Sequence, residues 1–295
     1  MENKLIGTGV ALITPFKSDL TVDYDALTKI VNHCIDGGID YLVVLGTTGE
    51  SVVLTKEEKN KIARHVIKVN EGKLPVVLGM GGNCTATVIN EYENFDLNGV
   101  DAILSVSPYY NKPSQKGIYS HYEQLSKSFN LPIVLYNVPG RTSSNMSAET
   151  TLKLANDFDN IIAVKEASGD MDQIMTIIRN KPDNFLVISG DDGLTLAMIL
   201  MGANGVISVI GQAFPEIFSS MVREGLNGNV KKSNELHYQL YPIYNPLYRD
   251  GNPAGVKECM RQIGLCTNKL RLPLVNVETS TKKELEEFSK SLKTS

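Results

Sequence analysis

The chain is poor in the residues that build disulfide frameworks and metal centres. It has only four cysteines and four histidines in 295 residues. No Cys-x-x-Cys pair, zinc-type spacing or His-Glu-x-x-His sequence occurs. We therefore expect reduced thiols in a cytoplasmic protein, and neither a metal ion nor another cofactor. The cysteines are Cys34, Cys84, Cys259 and Cys266, and the histidines, which we interpret as ordinary helix residues, are His33, His65, His121 and His237.

Long apolar runs and a strong charge of either sign are also missing. No stretch reaches the ~18 consecutive apolar residues that a membrane span needs, and the first residues lack the pattern of a signal peptide. The net charge is only −4, so neither nucleic acid nor an anionic membrane is the expected partner. A hydrophobic content of 42% and a charged content of 21% are ordinary for a globular protein.

Short apolar runs rich in Val, Ile and Leu alternate with longer amphipathic stretches. Nearly continuous apolar runs are typical of parallel strands that are covered on both faces. Eight such strands, each followed by a helical pattern, predict an α/β fold of the (β/α)8 TIM-barrel type. A doubly wound open sheet is the alternative, which periodicity alone does not exclude. The predicted strands are residues 9–16, 41–46, 75–81, 102–108, 132–139, 161–167, 185–191 and 204–210.

Beyond residue 225 the pattern contains helices but no convincing strand. We predict a catalytic barrel over 1–225 and a small C-terminal all-helical domain over 226–295. The sequence from Thr55 to Glu58 is a capping box that begins a helix, and Thr281 to Glu284 predicts a second one. The predicted C-terminal helices are residues 229–248, 253–263 and 282–292.

Lys165 interrupts the apolar run IIAVKEASGD at the end of the sixth predicted strand. Active sites of such barrels form at the carboxyl ends of the strands. Desolvation lowers the pKa of a lysine amine, and a neutral amine condenses with a carbonyl group to give a Schiff base. The alternative is a lysine that extends from the strand end into solvent and pairs with Glu166.

Residues with hydroxyl groups and one arginine follow other predicted strands, so their side chains should lie at the same end of the barrel. Tyr136 could transfer protons, or its phenol could simply bond a backbone carbonyl. Thr47 and Thr48 lie between glycines and could form a turn, or could bind a carboxylate. Arg141 follows a Pro-Gly turn, where it could be a surface charge or could bind a carboxylate through two parallel hydrogen bonds.

Taken together, these motifs resemble the dihydrodipicolinate synthase family of pyruvate-dependent, lysine-Schiff-base barrel aldolases. The similarity covers essentially the whole chain, with the motifs in the order and spacing of a barrel. They are GTTGE (46–50), SPYYNKPSQKG (107–117), YNVPGRT (136–142), VKEASGD (164–170), SGDD (189–192), GVISV (205–209), NPAGVKECMRQIGL (252–265) and LRLPLV (270–275).

The resemblance implies condensation of pyruvate with L-aspartate 4-semialdehyde to 4-hydroxy-tetrahydrodipicolinate, on the diaminopimelate route to lysine. In this reading Lys165 forms the imine with pyruvate, while Tyr136, Thr47 and Tyr110 form a proton relay. The substrate-binding residues implied by the resemblance are Thr48 and Ile207 for pyruvate, Gly190 lining the site, and Arg141 for the carboxylate of the semialdehyde.

The resemblance also implies a homo-oligomer, usually a dimer of dimers, in which Tyr110 reaches the active site of the neighbouring subunit.

Two alternatives to this function stay open, a sugar-acid aldolase and a non-catalytic barrel. N-acetylneuraminate lyase and 2-keto-3-deoxy-sugar-acid aldolases share the fold and the lysine, but typically lack the Tyr109-Tyr110 pair with a loop like that of Arg141. A non-catalytic binding barrel is the third possibility, which fold alone permits.

One departure from the family concerns feedback regulation. Members inhibited by lysine carry a histidine and a glutamate where this chain has Lys56 and Thr87, although Ser51, Asn83 and Tyr109 are kept. A lysine side chain repels the ammonium group of a bound lysine, and a neutral hydroxyl does not balance its charge. We therefore interpret these five positions as a vestigial effector site, and predict that lysine inhibits weakly or not at all.

Overall fold

The computed structural model describes residues 4–293, which contain eight parallel strands in a closed barrel. Each strand pairs with the next along the chain, and the eighth pairs with the first. Closure confirms the predicted TIM barrel and excludes the open sheet. The strands are β1 (Gly7–Ala11), β2 (Tyr41–Val44), β3 (Val76–Gly79), β4 (Ala102–Val106), β5 (Ile133–Asn137), β6 (Ile161–Glu166), β7 (Leu186–Ser189) and β8 (Gly205–Ser208).

Helices follow the strands and cover the outer face of the barrel. Thr55 begins the second helix as predicted, because its side chain accepts from the Glu58 N–H while the Glu58 carboxylate accepts from the Thr55 N–H. The helices are α1 (Tyr24–Asp36), α2 (Lys56–Asn70), α3 (Thr85–Glu93), α4 (Gln115–Ser128), α5 (Pro139–Thr142), α6 (Ala148–Asp157), α7 (Met171–Asn180), α8 (Thr195–Leu200), α9 (Pro215–Leu226), α10 (Val230–Arg249), α11 (Ala254–Gln262) and α12 (Thr279–Lys293).

Alternate residues of each strand face two separate apolar layers. On β5, Val134 and Tyr136 belong to the layer inside the barrel, whereas Ile133 and Leu135 pack between the barrel wall and the helices. This two-sided burial explains why the strands read as continuous apolar runs. It also means that neighbouring residues on one strand lie in different environments.

The pairing of β5 with β6 contains one irregularity. Ile133 pairs with Ile161, but the next residue, Val134, pairs with Ala163, so Ile162 has no partner of its own. An extra residue of this kind changes the phase of the strand that follows it. Downstream of it, Tyr136 pairs with Lys165 and Asn137 with Glu166.

The C-terminal region is helical, as predicted, but its last helix starts earlier than expected. The Lys282 N–H donates to the Glu278 carbonyl, and the helix begins at Thr279. The predicted capping box is wrong because Thr281 lies inside the first turn, with its side chain buried rather than at the helix end. The division at residue 225 stays a prediction. No helix within residues 4–293 has the length and apolar composition of a bilayer span.

Candidate active site

Lys165 lies at the carboxyl end of β6 and points into the barrel interior. The residue is only 5% exposed, and its Nζ lies 4.3 Å from the ring centre of Tyr136 on the neighbouring strand. No described residue from 4 to 293 forms a hydrogen bond or an ion pair with this amine. The amine is therefore held against an aromatic face beside a cavity, with no carboxylate partner among these residues.

Glu166 faces the opposite side of the barrel wall, so the alternative pairing of Lys165 with Glu166 is wrong. Its buried carboxylate accepts from Asn137 Nδ2 at 3.0 Å, from the Ser168 N–H at 3.0 Å and from Gln173 Nε2 at 3.1 Å. Burial raises the pKa of Glu166, and these donors oppose the rise. The strand pleat thus separates the carboxylate from the amine one residue away.

A cavity of about 330 Å³ opens above Lys165 and is lined by residues from several strand ends. We call it the Lys165 cavity. It brings together six of the eight residues predicted for catalysis and substrate binding. These are Lys165, Tyr136, Thr47, Thr48, Arg141 and Gly190.

Thr47 and Thr48 lie in a tight turn after β2, from Gly46 to Glu50. The Gly49 N–H donates to the Gly46 carbonyl at 3.0 Å, and the Glu50 N–H donates to the Thr47 carbonyl at 3.1 Å. Thr47 is exposed to the cavity mouth, whereas Thr48 is buried. The turn therefore presents one accessible hydroxyl and one enclosed hydroxyl to the Lys165 cavity.

Two further predicted residues differ in what they contribute. Gly190 follows β7 beside Lys165, where a Cβ atom would lie 3.0 Å from Lys165 Cε and 2.7 Å from Ala167 Cβ. Ile207 is buried in the inner layer on β8, and its side chain does not line the Lys165 cavity, although Val209 does. Its predicted contact uses the backbone, so that role stays a prediction.

Arg141 stands in the short helix α5 at the rim. Its guanidinium is exposed and, within residues 4–293, has no hydrogen-bond or ion-pair partner. The residue borders the Lys165 cavity and also a second cavity of about 290 Å³. A free guanidinium at a shared rim is suited to bind a carboxylate that enters from solvent.

Tyr110 does not reach the Lys165 cavity of its own chain. Its side chain is 87% exposed, and its backbone has the left-handed φ of 71° that few residues other than glycine adopt. Non-glycine residues held at a positive φ are frequent at functional sites. This position agrees with the expectation that Tyr110 acts in a neighbouring subunit.

The second cavity contains part of the predicted effector site. Ser51 and Tyr109 line it, and Asn83 Nδ2 donates to the Tyr109 carbonyl at 3.2 Å. Lys56 and Thr87 are exposed and do not line it. An ion pair between Lys59 and Glu91, 3.0 Å apart, lines the cavity instead and was not found by sequence reasoning.

Three residues that were not predicted from the sequence also line the Lys165 cavity. Tyr248 and Asn252 come from the C-terminal region, and Val209 follows β8. Tyr248 Oη donates to Asp192 at 2.6 Å, and Asp192 also accepts the N–H groups of Val209 and Ile210. Burial raises the pKa of Asp192, and these donors counteract that rise. The only sequence signal for Asn252 was its place in the NPAGVK motif.

Comparison with known proteins identifies the family. Residues 4–292 match the family model described as "Dihydrodipicolinate synthetase family". The chain belongs to this family.

Relatives agree over the full length. The 4-hydroxy-tetrahydrodipicolinate synthase of Phocaeicola vulgatus is 53% identical over 99% of both chains. The crystal structure of the dihydrodipicolinate synthase from Cyanidioschyzon merolae with lysine bound is 35% identical, with a TM-score of 0.94 over 98% of this chain and 99% of that one. The chloride-inhibited enzyme from Acinetobacter baumannii, in complex with pyruvate, is 34% identical, with a TM-score of 0.94 over 97% and 98%.

These matches confirm the family, the enzyme class and the reaction that the motifs predicted. The protein is a Schiff-base-forming lyase of lysine biosynthesis that makes 4-hydroxy-tetrahydrodipicolinate. The rival retro-aldolases and the non-catalytic barrel are correspondingly disfavoured.

Proposed function

We propose that Lys165 carries the condensation of pyruvate with L-aspartate 4-semialdehyde as a covalent imine. The observation that supports this role is the position of the Lys165 amine, which borders the cavity 4.3 Å from the centre of the Tyr136 ring and has no carboxylate partner within residues 4–293. The amine attacks the keto carbon of pyruvate, and loss of one water gives the imine. The positive imine then withdraws electrons, so the pyruvate methyl group releases a proton and forms an enamine.

The enamine carbon attacks the aldehyde of the second substrate, and the amino group of that substrate closes the ring at the imine carbon. Ring closure breaks the bond to Lys165 and regenerates the free amine. Tyr136 pairs with Lys165 on the neighbouring strand and lines the same cavity, which supports its role in proton transfer at the imine carbon. Thr47 links Tyr136 to Tyr110 in the proposed relay. Thr48 and the Ile207 backbone bind pyruvate. Gly190 has no side chain and therefore leaves room for these contacts.

Arg141 binds the carboxylate of the semialdehyde at the rim. Its guanidinium, which has no partner among the described residues, borders the cavity, whereas the imine forms deeper in the barrel. The two substrates therefore bind at different depths. Pyruvate binds first, to the buried lysine, and the aldehyde is held above it. Two parallel hydrogen bonds from arginine fix the orientation of a carboxylate better than a point charge does.

Tyr110 completes the relay of a neighbouring subunit, so we propose a homo-oligomer in which at least a dimer is required. Its exposed ring and constrained backbone support this arrangement. A dimer of dimers is the form that we propose for the full assembly. Two of the four cysteines, Cys34 and Cys259, are buried thiols with no disulfide, which supports a reducing, cytoplasmic location.

Trapping with borohydride tests the covalent step. Incubation with pyruvate and borohydride should place a stable pyruvyl adduct on the peptide that carries Lys165, as read by mass spectrometry. Turnover with L-aspartate 4-semialdehyde but not with N-acetylneuraminate then distinguishes the synthase from the lyase. Arg141→Ala should impair use of the aldehyde far more than imine formation. Absence of any adduct, or equal loss of both steps in Arg141→Ala, would contradict these assignments.

A further inference from the structure

A segment of the C-terminal region reaches back over the barrel to the turn that carries Thr47 and Thr48. Asn252 Nδ2 donates to Thr48 Oγ1 at 2.9 Å, across 204 positions of sequence. Lys257 Nζ donates to Glu50 Oε1 at 2.5 Å, and the Arg271 N–H donates to Glu50 Oε2 at 3.2 Å. Residues 252–271 therefore contact both Thr48 and the residue that ends the turn.

Glu50 is held in a conformation that its neighbours must stabilise. It has a left-handed φ of 53°, which is unfavourable for a residue with a side chain. Its side chain is completely buried, and both carboxylate oxygens accept hydrogen bonds from the C-terminal region. Because Glu50 closes the turn through its N–H to the Thr47 carbonyl, the position of its carboxylate determines the position of the turn.

Lys257 has surroundings that fit an ammonium group. Its side chain is also completely buried. Besides Glu50, its Nζ donates to the Lys269 carbonyl at 2.8 Å and lies 4.2 Å from the ring centre of Phe16. Burial lowers the pKa of Lys257, while Glu50 raises it. A cation withdrawn from water needs such partners, and a carboxylate left without its cation would move toward solvent or take up a proton.

The contact from Asn252 determines what the Thr48 hydroxyl can do. Because its oxygen accepts from Asn252, its own hydrogen is free to donate to a ligand. Asn252 and Thr48 both line the Lys165 cavity. A hydroxyl that is fixed as a donor is suited to bind a carboxylate.

We infer that Lys257 and Glu50 are positioning residues, which together with Asn252 fix the turn that binds the carboxylate of pyruvate. The C-terminal region thus sets the pyruvate end of the active site from outside the barrel. This inference rests on the role proposed above for Thr48. None of the three residues needs to touch a reacting atom.

Kinetics of Lys257→Met and Glu50→Gln test this inference. We expect the pyruvate KM to rise about tenfold or more in Lys257→Met, as for loss of one charge-assisted hydrogen bond, with the KM for the semialdehyde changed less than about twofold. The pyruvate concentration that half-labels Lys165 in borohydride trapping should rise equally. Glu50→Gln, which keeps the shape and loses the charge, should give a smaller change and serves if Lys257→Met does not fold.

Glu258→Gln is the matched control on the same helix. Glu258 is buried, neighbours Lys257 and pairs with Arg261 at 2.7 Å, but it has no contact with Glu50. We expect it to lower the melting temperature and leave the pyruvate KM unchanged. An equal rise of the pyruvate KM in Lys257→Met and Glu258→Gln would overturn the inference, as would no rise in Lys257→Met and Glu50→Gln.

The pyruvate KM of Thr48→Val distinguishes failure of the positioning role of Lys257 from failure of the proposed contact between Thr48 and pyruvate. A raised pyruvate KM in Thr48→Val together with a normal one in Lys257→Met would refute the positioning role alone. A normal pyruvate KM in Thr48→Val would instead refute the proposed contact of Thr48, while a rise in Lys257→Met would still support control of the site by the C-terminal region.

Discussion

Gly190 lies so close to Lys165 that a Cβ atom there would be 3.0 Å from the Cε of the lysine. The absence of a side chain at position 190, directly after β7, thus gives the amine its place at the cavity. Neighbouring atoms in a packed interior move little, so even one added methyl group changes the direction of the lysine.

We predict that Gly190→Ala lowers kcat/KM for pyruvate about a hundredfold, since small displacements of a reacting group cost this much. The added Cβ would also lie 2.7 Å from Ala167 Cβ. Gly190→Ala combined with Ala167→Gly should therefore regain thermal stability without regaining activity. Melting temperatures and pyruvate kinetics of the three proteins check this, and full recovery of activity in the double variant would contradict it.

Tyr136→Phe should keep the aromatic face beside Lys165 and remove the proton carrier. We predict a fall in kcat of about a hundredfold or more, with slower formation of the borohydride-trapped adduct. Tyr122→Phe is the control, because the buried Tyr122 hydroxyl donates to the Ser105 carbonyl at 2.8 Å on the outer side of the barrel wall. It should cost about 1 kcal/mol of unfolding free energy and leave kcat unchanged. Similar kinetics for the two variants would refute the role of Tyr136.

Tyr110 and Lys165 should complement each other between subunits. Lys165→Ala and Tyr110→Phe are each expected to be severely impaired as homo-oligomers. In a mixed dimer, one of the two sites would contain Lys165 from one chain and Tyr110 from the other, giving about half of wild-type activity. Co-expression with two affinity tags isolates the mixed dimer. Activity no greater than that of the parents would show that Tyr110 acts within its own chain.

Lysine should inhibit the wild-type protein weakly or not at all at low-millimolar concentration. In the proposed vestigial site, Lys56 would repel the ammonium group of an effector, and Thr87 would offer no charge to bind it. Both side chains are exposed, so the double variant Lys56→His with Thr87→Glu should fold normally. We expect this variant to become more sensitive to lysine in steady-state assays. Strong inhibition of the wild type would overturn the interpretation of a vestigial site.

His121 should make stability depend on pH in weakly acidic solution. Desolvation by burial lowers the pKa of His121 to about 4 from its ordinary value of 6.5. The unfolded chain therefore takes up a proton near pH 6.5 that the folded chain resists until about pH 4, so acid favours unfolding within this window. We predict a loss of about 3 kcal/mol between pH 7 and pH 4 from this residue.

Urea unfolding at several pH values measures this contribution. The substitution His121→Asn can retain the hydrogen bond to Thr85, which lies 2.9 Å from His121 Nδ1. The difference in unfolding free energy between pH 7 and pH 4 should be smaller in the variant than in the wild type. Parallel curves for the two proteins would exclude this role.

Sequence patterns predicted the eight strands well because each is buried on both faces, but all eight strand ends were placed too late, by one to five residues. Leu12, Ile13 and Phe16 are buried like strand residues although β1 ends at Ala11. An apolar pattern reports burial, and buried loops at the barrel mouth share it. The same limit explains the error at Thr281, which is buried in the first turn of α12 instead of capping it.

Most of the candidate site was predictable because strand order alone brings the strand ends together. What could not be predicted was the contribution of distant segments. Asn252 reaches Thr48 and Tyr248 reaches Asp192 through packing of the C-terminal helices on the barrel, and no local periodicity encodes that contact. The orientation of Glu166 away from Lys165 likewise depends on the register of β6.

Ile162, which has no partner on β5, determines which side of β6 faces the active site. An odd number of residues gained or lost between Ile162 and Lys165 would exchange the two sides of β6. The acid Glu166 would then occupy the reaction chamber, and the nucleophile would be buried among the outer helices. Only even-numbered changes in this short stretch preserve an amine as the group that meets the substrate.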